Sequence, residues 1–164
     1  MFLRSIRRAA PRLPAGALLA LTLLLLPALL GAATMPRAKV TAGGHTFVVD
    51  VATTSAEQTL GLGGRKHLGP SDGMLFVYTD KSRLTFWMKG MFIPIDMLWM
   101  DNRRIVHIEH RAPPPKAGTP DGALPTYQPD EPANFVLEIA AGRADELHLK
   151  EGDLVTYDLS PGQR

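Results

Sequence analysis

Cysteine is missing altogether from the 164 residues. The chain therefore forms no disulfide, offers no thiol nucleophile and carries no cysteine that could be lipidated behind a leader. Its fold must rest on an apolar core. No acid precedes Asp50, and no run of Lys and Arg occurs after the first dozen residues. Without such a run the electrostatic footprint of nucleic-acid binding is lacking, and no nucleic-acid partner is expected. Internal repeats are absent. Ser55, Ser71, Ser82 and Ser160 sit in capping or turn contexts, outside any nucleophile-elbow pattern. Gly61-x-Gly63-Gly64 follows a helical pattern, which is the wrong context for cradling a phosphate.

What is present begins with an address. Arg4, Arg7, Arg8 and Arg12 precede an almost wholly apolar stretch at residues 15–30, followed by the small residues Gly31, Ala32 and Ala33. That order reads as a secretory signal peptide, residues 1–33, cleaved near Ala33 and directing the rest to the periplasm or outside the cell. Arg7-Arg8 lacks a twin-arginine continuation, so general secretion is expected. The alternative is a retained anchor, but the stretch falls short of the roughly 17–25 residues a span needs, contains Pro27 and directly follows Pro14. Contact with the membrane is expected only through this leader. It holds four of the 18 basic residues and none of the 16 acids, leaving 14 basic against 16 acidic side chains, a formal charge of −2. The remaining 131 residues are one domain's worth.

Residues 34–44 read as a lead-in to a single β domain at 45–160. Alternation of Phe47, Val49 and Val51 with polar neighbours predicts a strand over 45–51. Thr54-x-x-Glu57 and Ser55-x-x-Gln58 each fit a capping box, so one short helix starts there. The densest apolar block, residues 73–102, reads as a three-strand meander over 74–78, 84–89 and 95–100. A further strand is expected at 105–111, with His107 exposed. Residues 112–133 hold seven of the 14 prolines, which predicts a long loop rather than an element. A strand over 135–139, a helical turn over 142–149 and a strand over 154–159 complete the chain. The expected fold is mainly β: a small antiparallel, barrel-like domain with one short helix and a long proline-rich loop.

Six segments, GLGGR (61–65), GMLFVY (73–78), FWMKG (86–90), IPID (93–96), PANFVLEIAAG (132–142) and KEGDLV (150–155), carry a resemblance. In order and spacing they resemble the bacterial and archaeal domain-of-unknown-function family 192 across about residues 45–158. The resemblance implies a small, mainly β, often exported domain and supplies no activity to carry over. The family more often has Met-Phe in place of Gly63-Gly64 and Asn in place of Gly90. A site lined by those positions would be altered in this chain.

Five polar or aromatic residues interrupt apolar segments and form the candidate ligand surface: Arg65, Trp87, Lys89, Asp96 and Glu138. Trp87 and Lys89 share one strand face. Either the lysine lays its stem on the ring and reaches water, or the pair contacts an anion or a sugar with Trp87 as platform. Asp96 lies in an apolar strand and needs a partner. Backbone N–H groups of the 90–94 connection are the favoured donors; Arg65, or Lys89 across a one-residue bulge, are the alternatives. Glu138 reads as an outward acid on an edge strand, or as a pocket carboxylate if the proline-rich loop covers that face. Together Asp96 and Glu138 raise a two-carboxylate glycosidase mechanism. His107 and His110 lie on opposite strand faces and make a poor metal pair; no metal or cofactor is expected. The leading expectation is a non-catalytic binding or scaffold module of the cell envelope, its site roofed by residues 112–132. A glycan-acting hydrolase using Asp96 and Glu138, and an interaction domain working through a β edge, are the alternatives. The partner would be a small molecule, a glycan or an envelope protein.

Overall fold

The computed structural model describes residues 35–163, so the signal peptide expected at 1–33 lies outside the described residues. The fold is mainly β. In chain order the elements are β1 (Arg37–Ala42), β2 (His45–Ala52), α1 (Ser55–Leu60), β3 (Asp72–Ser82), β4 (Phe86–Trp87), β5 (Ile95–Asp101), β6 (Arg104–Ala112), a short 3-10 helix (Asp121–Ala123), β7 (Thr126–Tyr127), β8 (Ala133–Ala140), α2 (Arg143–Glu146) and β9 (Thr156–Asp158). The 3-10 helix and β7 thus fall inside the stretch expected to be a loop without elements. Seven strands form one sheet in the order β6-β5-β8-β3-β2-β1-β9, while β4 and β7 pair separately.

Local chemistry explains several of these elements. Thr54 caps α1 through the expected box: its hydroxyl accepts from the Glu57 N–H at 3.3 Å, and the Glu57 carboxylate accepts from the Thr54 N–H at 2.9 Å. The Thr54 N–H, with that of Thr53, holds the Glu57 carboxyl below its ordinary pKa. The lead-in is in fact a strand. β1 and β2 form a hairpin around Gly43-Gly44, whose φ values of +56° and +74° suit a tight two-residue turn.

Three expectations about topology are corrected. The sheet is mixed rather than antiparallel, because β2 and β3 run parallel; residues 53–71, with α1 among them, supply the crossover that such a pair requires. The meander is also absent. β3 pairs with β2 and β8, and β5 pairs with β8 and β6, so β8 enters between two stretches that are close in sequence. Finally, only Phe86 and Trp87 of residues 84–89 are strand, and they lie outside the main sheet. The sheet is not closed by a ladder. Its two edges meet where residues 152–155 bond to β6 and the turn before it, with Gly152 N–H donating to the Ile105 carbonyl at 2.8 Å and Val155 N–H to that of Arg103 at 2.8 Å.

The sheet is apolar on both faces. One core gathers Phe47, Val49, Leu75, Leu98, Leu137 and Ile139 with Ala144 of α2. The other gathers Met74, Phe76, Met97, Trp99 and Val136 beneath Leu62, Phe86, Met88 and Met91. Residues 84–91 are therefore a cover, not a sheet strand. Phe86 meets Phe76 and Trp99 edge-on, at 4.9 and 5.8 Å between ring centres, and the Trp99 indole N–H donates to the Leu84 carbonyl at 2.9 Å. Trp99 also packs on His107, which is half-buried rather than exposed.

Asp96 is fully buried near the start of β5. Its Oδ1 accepts from the N–H groups of Arg111 (2.8 Å) and Gly142 (3.0 Å), and its Oδ2 from that of Ala144 (2.8 Å). Backbone donors do satisfy it, but they come from the end of β6 and the start of α2, not from residues 90–94. One carboxylate thus ties three distant segments together. Asp96→Ala leaves those buried donors without partners and is expected to lower unfolding free energy by about 3 kcal/mol or more in urea denaturation. Asp96→Asn, which retains one acceptor, should fall between; an unchanged midpoint for both would refute the tie.

Candidate functional site

Glu138 is the least comfortable side chain of the described fold. It sits in the middle of β8, with Met74 of β3 and Met97 of β5 beside it in register. β8 is thus a central strand rather than an edge, and Glu138 faces the second core instead of solvent. Only 4% of it is exposed, and its Oε2 has no hydrogen-bond partner. Burial pushes its carboxyl up to about 8, against a smaller opposing pull from the positive charge of Arg65. Near neutral pH it is a neutral acid, able to donate a hydrogen bond. The same burial, with Glu138 adding to it, raises the Tyr78 phenol to about 12.

A cavity of about 30 Å³ opens beside this carboxyl, lined by Gln58, Phe76, Phe86, Trp87 and Lys89 among others. That exceeds the roughly 10–15 Å³ one water needs and leaves room for a small group such as a carboxylate. Trp87 is 42% exposed at the rim. The Lys89 ammonium lies 5.2 Å from the centre of its ring and forms an ion pair with Asp121 of the proline-rich loop. Beyond Lys89 the surface widens into a cleft of about 690 Å³ between α1 and the glycines Gly63, Gly64 and Gly90. A Cβ on Gly63 would come within 2.8 Å of the Leu60 carbonyl oxygen, while Gly64 and Gly90 hold φ values of +81° and +70°. All three glycines therefore meet in this cleft.

Of the five residues singled out in the sequence, Trp87, Lys89 and Glu138 converge on the cavity. Arg65 does not line it; its guanidinium pairs with Asp50 of β2, which also takes Arg37 at 3.4 Å. Asp96 is elsewhere. In the β5–β8 register Asp96 faces Ile139 while Met97 faces Glu138, so the two carboxyl groups lie on opposite faces of the sheet. A two-carboxylate mechanism has no geometry here. The roof also differs from expectation, because residues 58–62 and 86–91 cover Glu138, and the proline-rich loop reaches the rim through the Asp121 contact with Lys89. His107 and His110 have separate acidic partners, Glu151 at 3.4 Å and Asp145 at 3.0 Å.

Sequence reasoning missed two contributors. Gln58 was matched to a capping box, yet its amide spans to the sheet and donates to the Val77 carbonyl at 2.9 Å while lining the cavity. The signal was available: Thr54 and Glu57 complete one box and leave Gln58 free. Asp121 carried no signal, since nothing local in a proline-rich loop marks its distant partner.

The buried carboxyl makes stability depend on pH. The native group keeps its proton until about pH 8, whereas the unfolded group loses it near 4.5. Its contribution is therefore complete below pH 4.5 and is lost as the pH rises toward 8. Glu138→Gln is expected to be more stable than the parent at pH 8 by on the order of a few kcal/mol, with the gap closing by pH 4.5, in denaturant titrations at stepped pH. A gap that stays constant with pH would mean that Glu138 is not held protonated.

Comparison with known proteins places the fold. No curated protein matches the chain. A crystal structure from Sinorhizobium meliloti, described as "a putative transcription regulator", superposes with a TM-score of 0.68 at 28% identity, covering 77% of this chain and 98% of that one. A protein of unknown function from Novosphingobium aromaticivorans gives a TM-score of 0.64 at 35% identity, covering 73% of this chain and 83% of that one. The family model described as "Uncharacterized ACR" matches residues 38–157, the whole sheet from the first residues of β1 to β9. The chain belongs to that family, the domain-of-unknown-function family 192.

Proposed function

We propose that this chain is an exported, non-catalytic binding module of the cell envelope that captures a small ligand at the cavity over Glu138. One observation carries the reading. A fully covered acid with an unpartnered oxygen borders a cavity whose rim holds an exposed tryptophan and a lysine. Buried polar groups in stable proteins are nearly always paired, so an orphan beside an opening marks a place for a partner.

Glu138 is the only carboxyl among the lining residues. The lining supplies no second acid to pair with it in a two-carboxylate hydrolysis, which favours capture. Export is supported by the basic, apolar and small-residue succession over residues 1–33. Regulation of transcription, named for the S. meliloti relative, finds no support in a domain whose residues 34–164 carry a formal charge of −2.

Ligand-observed NMR of the full chain against a small-molecule library tests the reading. Compounds that compete for one site should be found, and Trp87→Ala should weaken them by about tenfold or more. The half-exposed ring should cost stability by less than about 1 kcal/mol, leaving the circular dichroism spectrum unchanged. Hits indifferent to Trp87→Ala, or a variant that unfolds outright, would sink the capture site.

A further inference from the structure

Resting on that reading, we propose a ligand class: an amphipathic organic anion, its carboxylate seated between Lys89 and Glu138 and its apolar body lying along the glycine-floored cleft beside α1. The argument begins with charge. Among the residues lining the small cavity, only Lys89 and Glu138 ionise. Among those lining the cleft, only Lys89 does. With Glu138 neutral, the combined surface carries a single fixed charge, and it is positive.

The present partner of that charge is easily exchanged. Asp121 lines neither the cavity nor the cleft, and the side chains of Lys89 and Asp121 are 47% and 62% exposed. Such solvated pairs contribute little, so an incoming acid can take the place of Asp121 at the ammonium. The Glu138 O–H then donates to the second oxygen of the same carboxylate, a charge-assisted bond that satisfies the orphaned acid. The cavity of about 30 Å³ suits one such group.

The surroundings disfavour the competing ligand classes. A sugar needs an open aromatic face and many polar partners. Here the Trp87 ring already has Lys89 over it, and the Gln58 amide nitrogen donates to the Val77 carbonyl. A phosphate dianion calls for more than one cation, and Arg65, which does not line the cavity, is taken by Asp50. The cleft, by contrast, offers three glycines, Ala56 and Leu60, the last 59% exposed, a surface for a hydrocarbon.

Isothermal titration of the full chain with octanoate tests this, with 1-octanol and methyl β-glucoside as matched controls. At pH 7 octanoate is expected to bind at least about tenfold more tightly than 1-octanol. Lys89→Met should weaken octanoate by a similar factor. Asp121→Asn should tighten it by about two- to fivefold through loss of the competing acid, and Lys39→Met on the remote strand β1 should leave it unchanged. Between pH 7 and 9.5 the parent should lose affinity as Glu138 ionises among Lys89, Arg65 and the still protonated Tyr78; Glu138→Gln should show no such loss. Equal binding of octanoate and octanol, or indifference to Lys89→Met, overturns the anion and leaves the capture site standing. Binding of the glucoside alone, abolished in Trp87→Ala, does the same. Absence of saturable binding by all three probes overturns the anion, and if the NMR library is also blank the capture reading falls with it.

Discussion

A β-strand covered on both faces has no position where a carboxyl group meets water, and β8 is such a strand. Seven of its eight residues, Ala133 through Ile139, are buried, and Glu138 is among them. The consequences spread outward. Because β3, β5 and β8 are apolar on the second face as well as the first, that face needs a cover, and residues 62–68 and 84–93 supply it from the Leu62 and Leu68 turns and the Phe86–Met91 excursion. The cover leaves a small opening at the Glu138 carboxyl beneath it. The candidate site is thus a by-product of how the second face is closed.

Periodicity and turn chemistry made the local elements legible. Alternation exposed β2, the Thr54 and Glu57 pair announced the start of α1, and the apolar run at 135–139 marked β8. Pairing order was not legible, because it depends on contacts between residues far apart in the chain. β1 leaves little trace in the sequence because its inward positions, Ala38, Val40 and Ala42, are small and give a faint period. Residues 84–89 misled for a different reason. Phe86 and Met88 alternate with Trp87 and Lys89 just as a sheet strand would, but the alternation serves a flap laid on Trp99.

The site residues divide along the same line. Trp87 and Lys89 announce themselves by sharing a strand face, a strictly local relation. The setting of Glu138 depends on its strand being central, which only the β3–β8–β5 pairing reveals. Asp96 draws its three donors from residues 15 to 48 positions away, so its role as a tie between β5, β6 and α2 was invisible in the neighbouring sequence. Both carboxylates interrupt apolar strands and look alike in the sequence. One is saturated by backbone donors and holds the fold; the other is left wanting.

The insertion of β8 between β3 and β5 also governs when the molecule can form. Hairpins β1–β2 and β5–β6 join neighbours in sequence, yet the middle of the sheet waits for a strand more than fifty residues after β3. High sequence separation of this kind slows folding. A growing chain would carry β3 and β5 unpaired along one edge each until residue 140 had emerged. For a polypeptide proposed to thread a secretion pore, that delay keeps it extensible during passage and reserves compaction for the far side.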